Sequence, residues 1–222
     1  MSWAVLALAF AAFFLSHSVP LRPPVRKFLE ARLGARGFSL AYSAASLAVL
    51  VWLVAAADRA PFVPLWDWAP WQSAVTLCLM AMACLLFTAS VARPNPLSFG
   101  GRGDARFDPA RPGLFRVIRH PLLMVLALWS SAHLVANGDL AHVLLFGTFF
   151  VFSLMGGRMV DRRRRHEMGE DWSRLVVAMR KAPPWRTELT WPEILLRMLA
   201  GAGLYVGLIA LHPLVIGVAP LP

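Results

Sequence analysis

From Phe38 to Ala57 the chain runs for twenty residues without a charge. As a helix rising ~1.5 Å per residue, this stretch is ~30 Å long, the depth of a bilayer's hydrocarbon core. The pattern recurs in residues 1–19, Trp71–Ala92, Val117–Ala136, Leu140–Gly157 and Met198–Val218, which are apolar runs parted by polar connectors. Lipid offers no water to stray backbone groups, so each run must close its own hydrogen bonds as a helix. We predict an all-α polytopic membrane bundle of about six transmembrane helices, with short amphipathic helices at its cytoplasmic face. It forms a single integral membrane domain over residues 1–222.

Composition supports this reading. Only 15% of the residues are charged, 58% are hydrophobic, and the mean hydropathy is +0.60. A soluble domain carries roughly 25% charged residues. The net charge of +10 would suit nucleic acid, but its distribution excludes that partner. Five basic residues fall in 21–37, six in 93–119 and nine in 158–193, whereas 58–70 holds only Arg59 and 137–139 none. Basic residues in alternate loops follow the positive-inside rule, which places those loops in the cytoplasm and both termini outside it, in the periplasm of a bacterial inner membrane. Arg162–Arg165 then serve as a topology signal in reach of anionic membrane lipids.

The connectors carry further expectations. Residues 1–19 lack a basic leader and a small-residue cleavage site, so they read as a retained helix. Val25, Phe28, Leu29 and Leu33 share one helical face, and Gly34 ends the segment, as in a helix lying in the membrane interface. Trp66, Trp68 and Trp71 suit an aromatic belt. Arg93-Pro94-Asn95-Pro96 forms a rigid exit, and Gly100, Gly101 and Gly103 form a mobile tip without the context of a phosphate loop. Asn137-Gly138-Asp139 is so short that the helices around it must pair antiparallel. Gly156-Gly157 predicts close packing or a bend. Residues 159–181 read as an amphipathic helix or helix pair broken near Gly169. Cys78 and Cys84 lie on different faces of one helix and form no disulfide.

Chemistry is sought first in residues 111–142, which hold His120, His133 and His142. Together with His17 and His212, these histidines lie in or at the ends of predicted spans, where ionisable groups are costly and need partners or a role. His166 does not. Depth pairs His17 with His120, and His133 with His142 or His212. No HExxH is present and His166-Glu167 lacks a second histidine, which excludes that hydrolytic zinc pattern. Isolated imidazoles among Phe, Met, Leu and Trp side chains suit haem, with basic residues such as Arg119 meeting the propionates. A second reading places a charged cofactor against Arg119-His120-Pro121 and the acids Asp161, Glu167, Glu170 and Asp171. Those acids also read as charge balance for Arg162–Arg165.

Phe13–His17 (FFLSH), 25–34 (VRKFLEARLG), Arg119-His120-Pro121, 127–133 (ALWSSAH) and 137–139 (NGD) resemble the NnrU family over essentially the whole chain. The family comprises bacterial inner-membrane proteins associated with denitrification and nitric oxide metabolism. It is similar to the haem-b enzyme 15-cis-zeta-carotene isomerase. That resemblance implies His17 and His133 as iron ligands and isomerase-like redox-gated action on an apolar small-molecule substrate; His120, in the Arg-His-Pro motif, is the candidate catalytic residue, and Arg119, by its charge, the further cofactor-binding one. Residues 119–185 more remotely resemble isoprenylcysteine and phospholipid methyltransferases, which implies S-adenosylmethionine. Leu123, the single Asp161, Trp172 and Val176 depart from that pattern. A third reading is a non-enzymatic assembly or regulatory partner of denitrification enzymes.

Overall fold

The computed structural model describes residues 2–99, 104–183 and 185–221. The glycine-rich tip at Gly100, Gly101 and Gly103 and the second residue of Pro183-Pro184 lie outside the described residues. Eight α-helices and one 3₁₀ turn, Asp104–Arg106, account for the regular structure among them, and the only extended pairings are two isolated bridges. The chain divides into two compact units, Met1–Asp67 with Gly138–Leu145, and Trp68–Asn137 with Phe146–Pro222.

In the first unit, α1 (Trp3–Ser18) packs along α2 (Pro23–Asp58). Pro23 and Pro24 occupy the first turn of α2, where a missing N–H costs nothing. Gly34 interrupts α2 with φ 71° and ψ 163°, a left-handed conformation open to glycine. The predicted interfacial segment and the predicted second span are therefore two stretches parted at that residue. Beyond α2, the Leu65 and Trp66 amides both donate to Gly138 O, at 2.7 and 3.2 Å, and the Leu140 amide donates to Val63 O at 2.9 Å. Asp139 caps the next helix, α6 (Leu140–Met168), by accepting the His142 amide at 3.2 Å.

In the second unit, α3 (Pro70–Ser90) packs on α5 (Pro121–Ala136) and α8 (Trp191–Val215). Polar rungs tie the first pair: Gln72 Nε2 donates to Val135 O at 2.7 Å and Thr76 Oγ1 to Ala132 O at 3.0 Å. Gly201 lets α8 approach α3, since a Cβ there would sit 2.7 Å from Thr88 Oγ1 and 3.1 Å from the Leu85 backbone. Arg197 Nη1 then donates to Thr88 O and Val91 O at 2.7 and 3.1 Å, satisfying carbonyls that the end of α3 leaves open. A second apolar cluster joins Leu97 and Phe115 to Trp172, Val176 and Met179 of α7 (Glu170–Lys181). Arg93 is buried against it, ion-paired with Glu188 at 3.3 Å and with its guanidinium 4.6 Å from the Phe115 ring centre.

Three helix boundaries differ from expectation. The fourth predicted span begins at Pro121 rather than Val117. A separate turn, α4 (Leu114–Val117), precedes it, and His120 has φ −115° and ψ 71° because a residue before proline avoids the helical region. The fifth continues through Gly156-Gly157 to Met168, so the glycines provide packing rather than a stop. The sixth starts at Trp191 rather than Met198, capped by Glu193 Oε2 accepting from the Thr190 amide and hydroxyl at 2.8 and 2.9 Å. Four helices, α2, α3, α6 and α8, are long and apolar enough to cross a membrane. The apolar α1 and α5, sixteen residues each, reach ~24 Å. Six apolar helices make this an all-α membrane bundle.

Candidate functional site

The proline that breaks the helix before α5 leaves Arg119 and His120 on its N-terminal shoulder, and Asp161 of α6 meets both. Arg119 Nη1 donates to Asp161 Oδ2 at 2.5 Å, and His120 Nε2 lies 3.1 Å from Asp161 Oδ1. A carboxylate accepts, so Nε2 carries the proton. The opposite nitrogen, Nδ1, lies 3.0 Å from Ser98 Oγ and in the neutral ring accepts a hydrogen bond from that hydroxyl. Gly157 stands one turn before Asp161, where a Cβ would come within 3.2 Å of the His120 ring. Burial pushes His120 below the usual histidine range, Asp161 opposes this, and the Arg119 charge adds a smaller push in the same downward direction.

The next turn of α6 extends the network. Arg164 Nη2 donates to Ser98 O at 2.8 Å, and the Arg165 guanidinium lies 4.1 Å from the Trp172 ring centre. Arg119 approaches the same indole at 5.6 Å. Asn95 donates through Nδ2 to Arg119 O at 3.0 Å, and its amide donates to Asp104 Oδ1 at 2.9 Å. Asn95 Oδ1 and Trp172 Nε1 are buried without a hydrogen-bond partner among the described residues. Buried polar atoms of that kind are uncommon and mark a place where another group can bind.

His17, His133, His142 and His212 share a different arrangement. In the first unit, His17 Nδ1 lies 2.8 Å from Phe13 O, its ring 4.2 Å from the Phe13 ring and 6.2 Å from Tyr42. In the second, His133 Nδ1 lies 2.8 Å from Trp129 O, between Trp129 at 4.9 Å and Phe146 at 4.8 Å. Trp129 in turn meets Phe146 and Phe149 edge-on at 5.2 and 5.8 Å. A carbonyl oxygen only accepts, so Nδ1 is the donor in each ring and the neutral imidazole keeps its basic lone pair on Nε2. His142 with Asp139, at 2.7 Å, and His212 with Val218 O, at 2.7 Å, use Nδ1 in the same way.

The fold thus brings Arg119 and His120 together around Asp161. His133 stands at the opposite end of α5, thirteen residues or ~20 Å along the helix from His120. His17 belongs to the other unit. Asp161 does not balance Arg162–Arg165, whereas Glu167 pairs with Arg163 and Arg164, and Glu170 and Asp171 pair with Arg174. Ser98 and, as a site residue, Asn95 escaped the sequence reading. Polar residues set between prolines at a span's exit were the available signal. Among the described residues no three His, Cys, Asp or Glu side chains form a metal-holding group.

The family model described as NnrU protein matches residues 5–220. No curated protein and no solved structure matches the chain. With the match running from the start of α1 past the end of α8, this protein belongs to the NnrU family.

Proposed function

We propose that this NnrU-family protein binds haem b in the bacterial inner membrane, where His17 and His133 would be the candidate ligands, with its basic loops in the cytoplasm. One observation carries the reading. Each of these two imidazoles commits Nδ1–H to the carbonyl four residues earlier and keeps Nε2 as its basic nitrogen, with aromatic rings alongside. Ligating histidines are held in this way, because the second hydrogen bond fixes the tautomer and raises the basicity of the ligating nitrogen. Haem bound there would supply a one-electron iron couple suited to nitric oxide metabolism or to redox-gated isomerisation of an apolar substrate. The chain's own part is to orient the imidazoles and, through Trp129, Phe146 and Phe149, to keep water from His133. Arg119, the candidate for meeting a propionate, pairs with Asp161 at the other end of α5 from His133. Purification from haem-sufficient cells tests it: about one haem per chain with a Soret band supports the assignment, and colourless, iron-free protein overturns it.

The unmatched Asn95 Oδ1 and Trp172 Nε1 beside Arg119 favour a second reading, a small polar ligand at that end of the second unit. S-adenosylmethionine is the candidate named by the methyltransferase resemblance, with His120 as the catalytic residue. Saturable binding of S-adenosylmethionine that weakens in His120→Ala supports this alternative, and undetectable binding in lipid removes it.

A further inference from the structure

The first stretch of α2, residues 23–33, combines two surfaces that water alone does not suit. Phe28 and Leu33 stand more than half exposed, and Leu21 just before the helix is nearly as open. With Val25 and Leu29 they make an apolar face that the first unit leaves largely uncovered. Five basic residues, Arg22, Arg26, Lys27, Arg32 and Arg36, fall within residues 22–36, against the single acid Glu30. Arg32 folds its guanidinium to 5.2 Å from the Phe28 ring centre, and Arg26 lies 5.7 Å from that of Phe38 while pairing with Glu30 at 2.9 Å. Both guanidinium groups thus lie over aromatic rings while the two side chains stay exposed, which sets charge directly beside apolar surface. The φ of 71° at Gly34 releases this stretch from the direction of the span that follows.

We infer that residues 22–36 form a binding surface for anionic phospholipid, with the apolar face seated at the boundary between acyl chains and headgroups and the cations holding lipid phosphates. A neutral interface would accept the apolar face but leave an excess of four positive charges unmatched. An anionic leaflet attracts each basic residue near its surface, and the attraction is screened within a Debye length. The segment therefore distinguishes charged from uncharged bilayers, which the uncharged span 38–57 does not. This surface lies in the first unit and is independent of the haem reading.

Amide hydrogen exchange on the full-length protein tests the inference, in nanodiscs of phosphatidylcholine alone and of phosphatidylcholine mixed with phosphatidylglycerol. Few side chains cover residues 23–33, so their exchange reports local opening. The expected result is slowing of about tenfold or more across 23–33 on adding phosphatidylglycerol, reversed by high salt, with no change in 38–57. The combined Arg26→Gln, Lys27→Gln and Arg32→Gln variant, with helix content unchanged by circular dichroism, should lose that response. Phe28→Ser should speed exchange in both bilayers while retaining sensitivity to charge. Equal exchange in the two bilayers would overturn the inference, as would a full response in the triple variant. Equal protection in lipid-free neutral detergent would overturn it too, by showing that anionic headgroups are not needed to hold the segment.

Discussion

At Asp161 one carboxylate holds Arg119 through one oxygen and His120 through the other, and Ser98 closes the chain on the far side of the imidazole. Asp161→Asn keeps the shape and removes the charge that the Arg119 guanidinium and the His120 N–H both face. We expect a loss of about 1–3 kcal/mol in stability, the range for hydrogen bonds to charged groups. Glu170→Gln, on a fully open side chain, should change stability by less than about 0.5 kcal/mol. Thermal unfolding in detergent reads both. His120 adds a pH dependence whose sign follows from its lowered pKa. The unfolded imidazole titrates near about 6.5 and binds a proton that the buried ring resists. The contribution is therefore fully present above that pH and is lost as pH falls through it toward the depressed folded value. His120→Gln should flatten the decline in melting temperature between about pH 7 and about pH 5. Parallel curves for the two proteins would contradict this account of His120.

The elements meet where side chains are smallest. Gly201→Val places two methyl groups where even a Cβ would crowd Thr88 and the Leu85 backbone, so α8 must shift off α3, at a cost of about 1–3 kcal/mol. Gly147→Ala, with open space around its Cβ position, should be neutral or stabilising by up to about 1 kcal/mol. Denaturation midpoints in mixed micelles separate the two. Much of this architecture was legible in the sequence, because apolar run length and charge-free stretches act locally. The breaks at Gly34 and Gly169 were legible for the same reason, since each needs a positive φ. Helix starts were harder to place. Pro121 restricts His120 and splits a run that hydrophobicity alone joins. The Thr190–Glu193 cap starts α8 seven residues before its most apolar part. The polar site was legible only in half. Arg119, His120 and Asp161 stood out together in the reading of a charged cofactor, whereas Ser98 is set by packing between distant segments. Asp161, beside four arginines in sequence, bonds to none of them among the described contacts.

Across the whole molecule, the first unit carries His17 and the lipid-facing segment of α2. The second carries His133 and, at the other end of α5, the Arg119–His120–Asp161 network. Two kinds of histidine are thereby distinguished. His120 engages Asp161 and Ser98 on separate segments, whereas His17 and His133 direct Nδ1–H to a carbonyl of their own helices beside aromatic rings. The haem assignment rests on that difference. A reduced-minus-oxidised visible spectrum on detergent-purified protein tests it most directly, recorded for wild type and for His17→Ala, His133→Ala and His120→Ala, with and without added imidazole. The account predicts a haem signal in wild type that is lost or shifted in the His17 and His133 variants, restored there by imidazole, and retained in His120→Ala. A haem-free wild type, or a signal that survives unchanged in both the His17 and His133 variants, would contradict it.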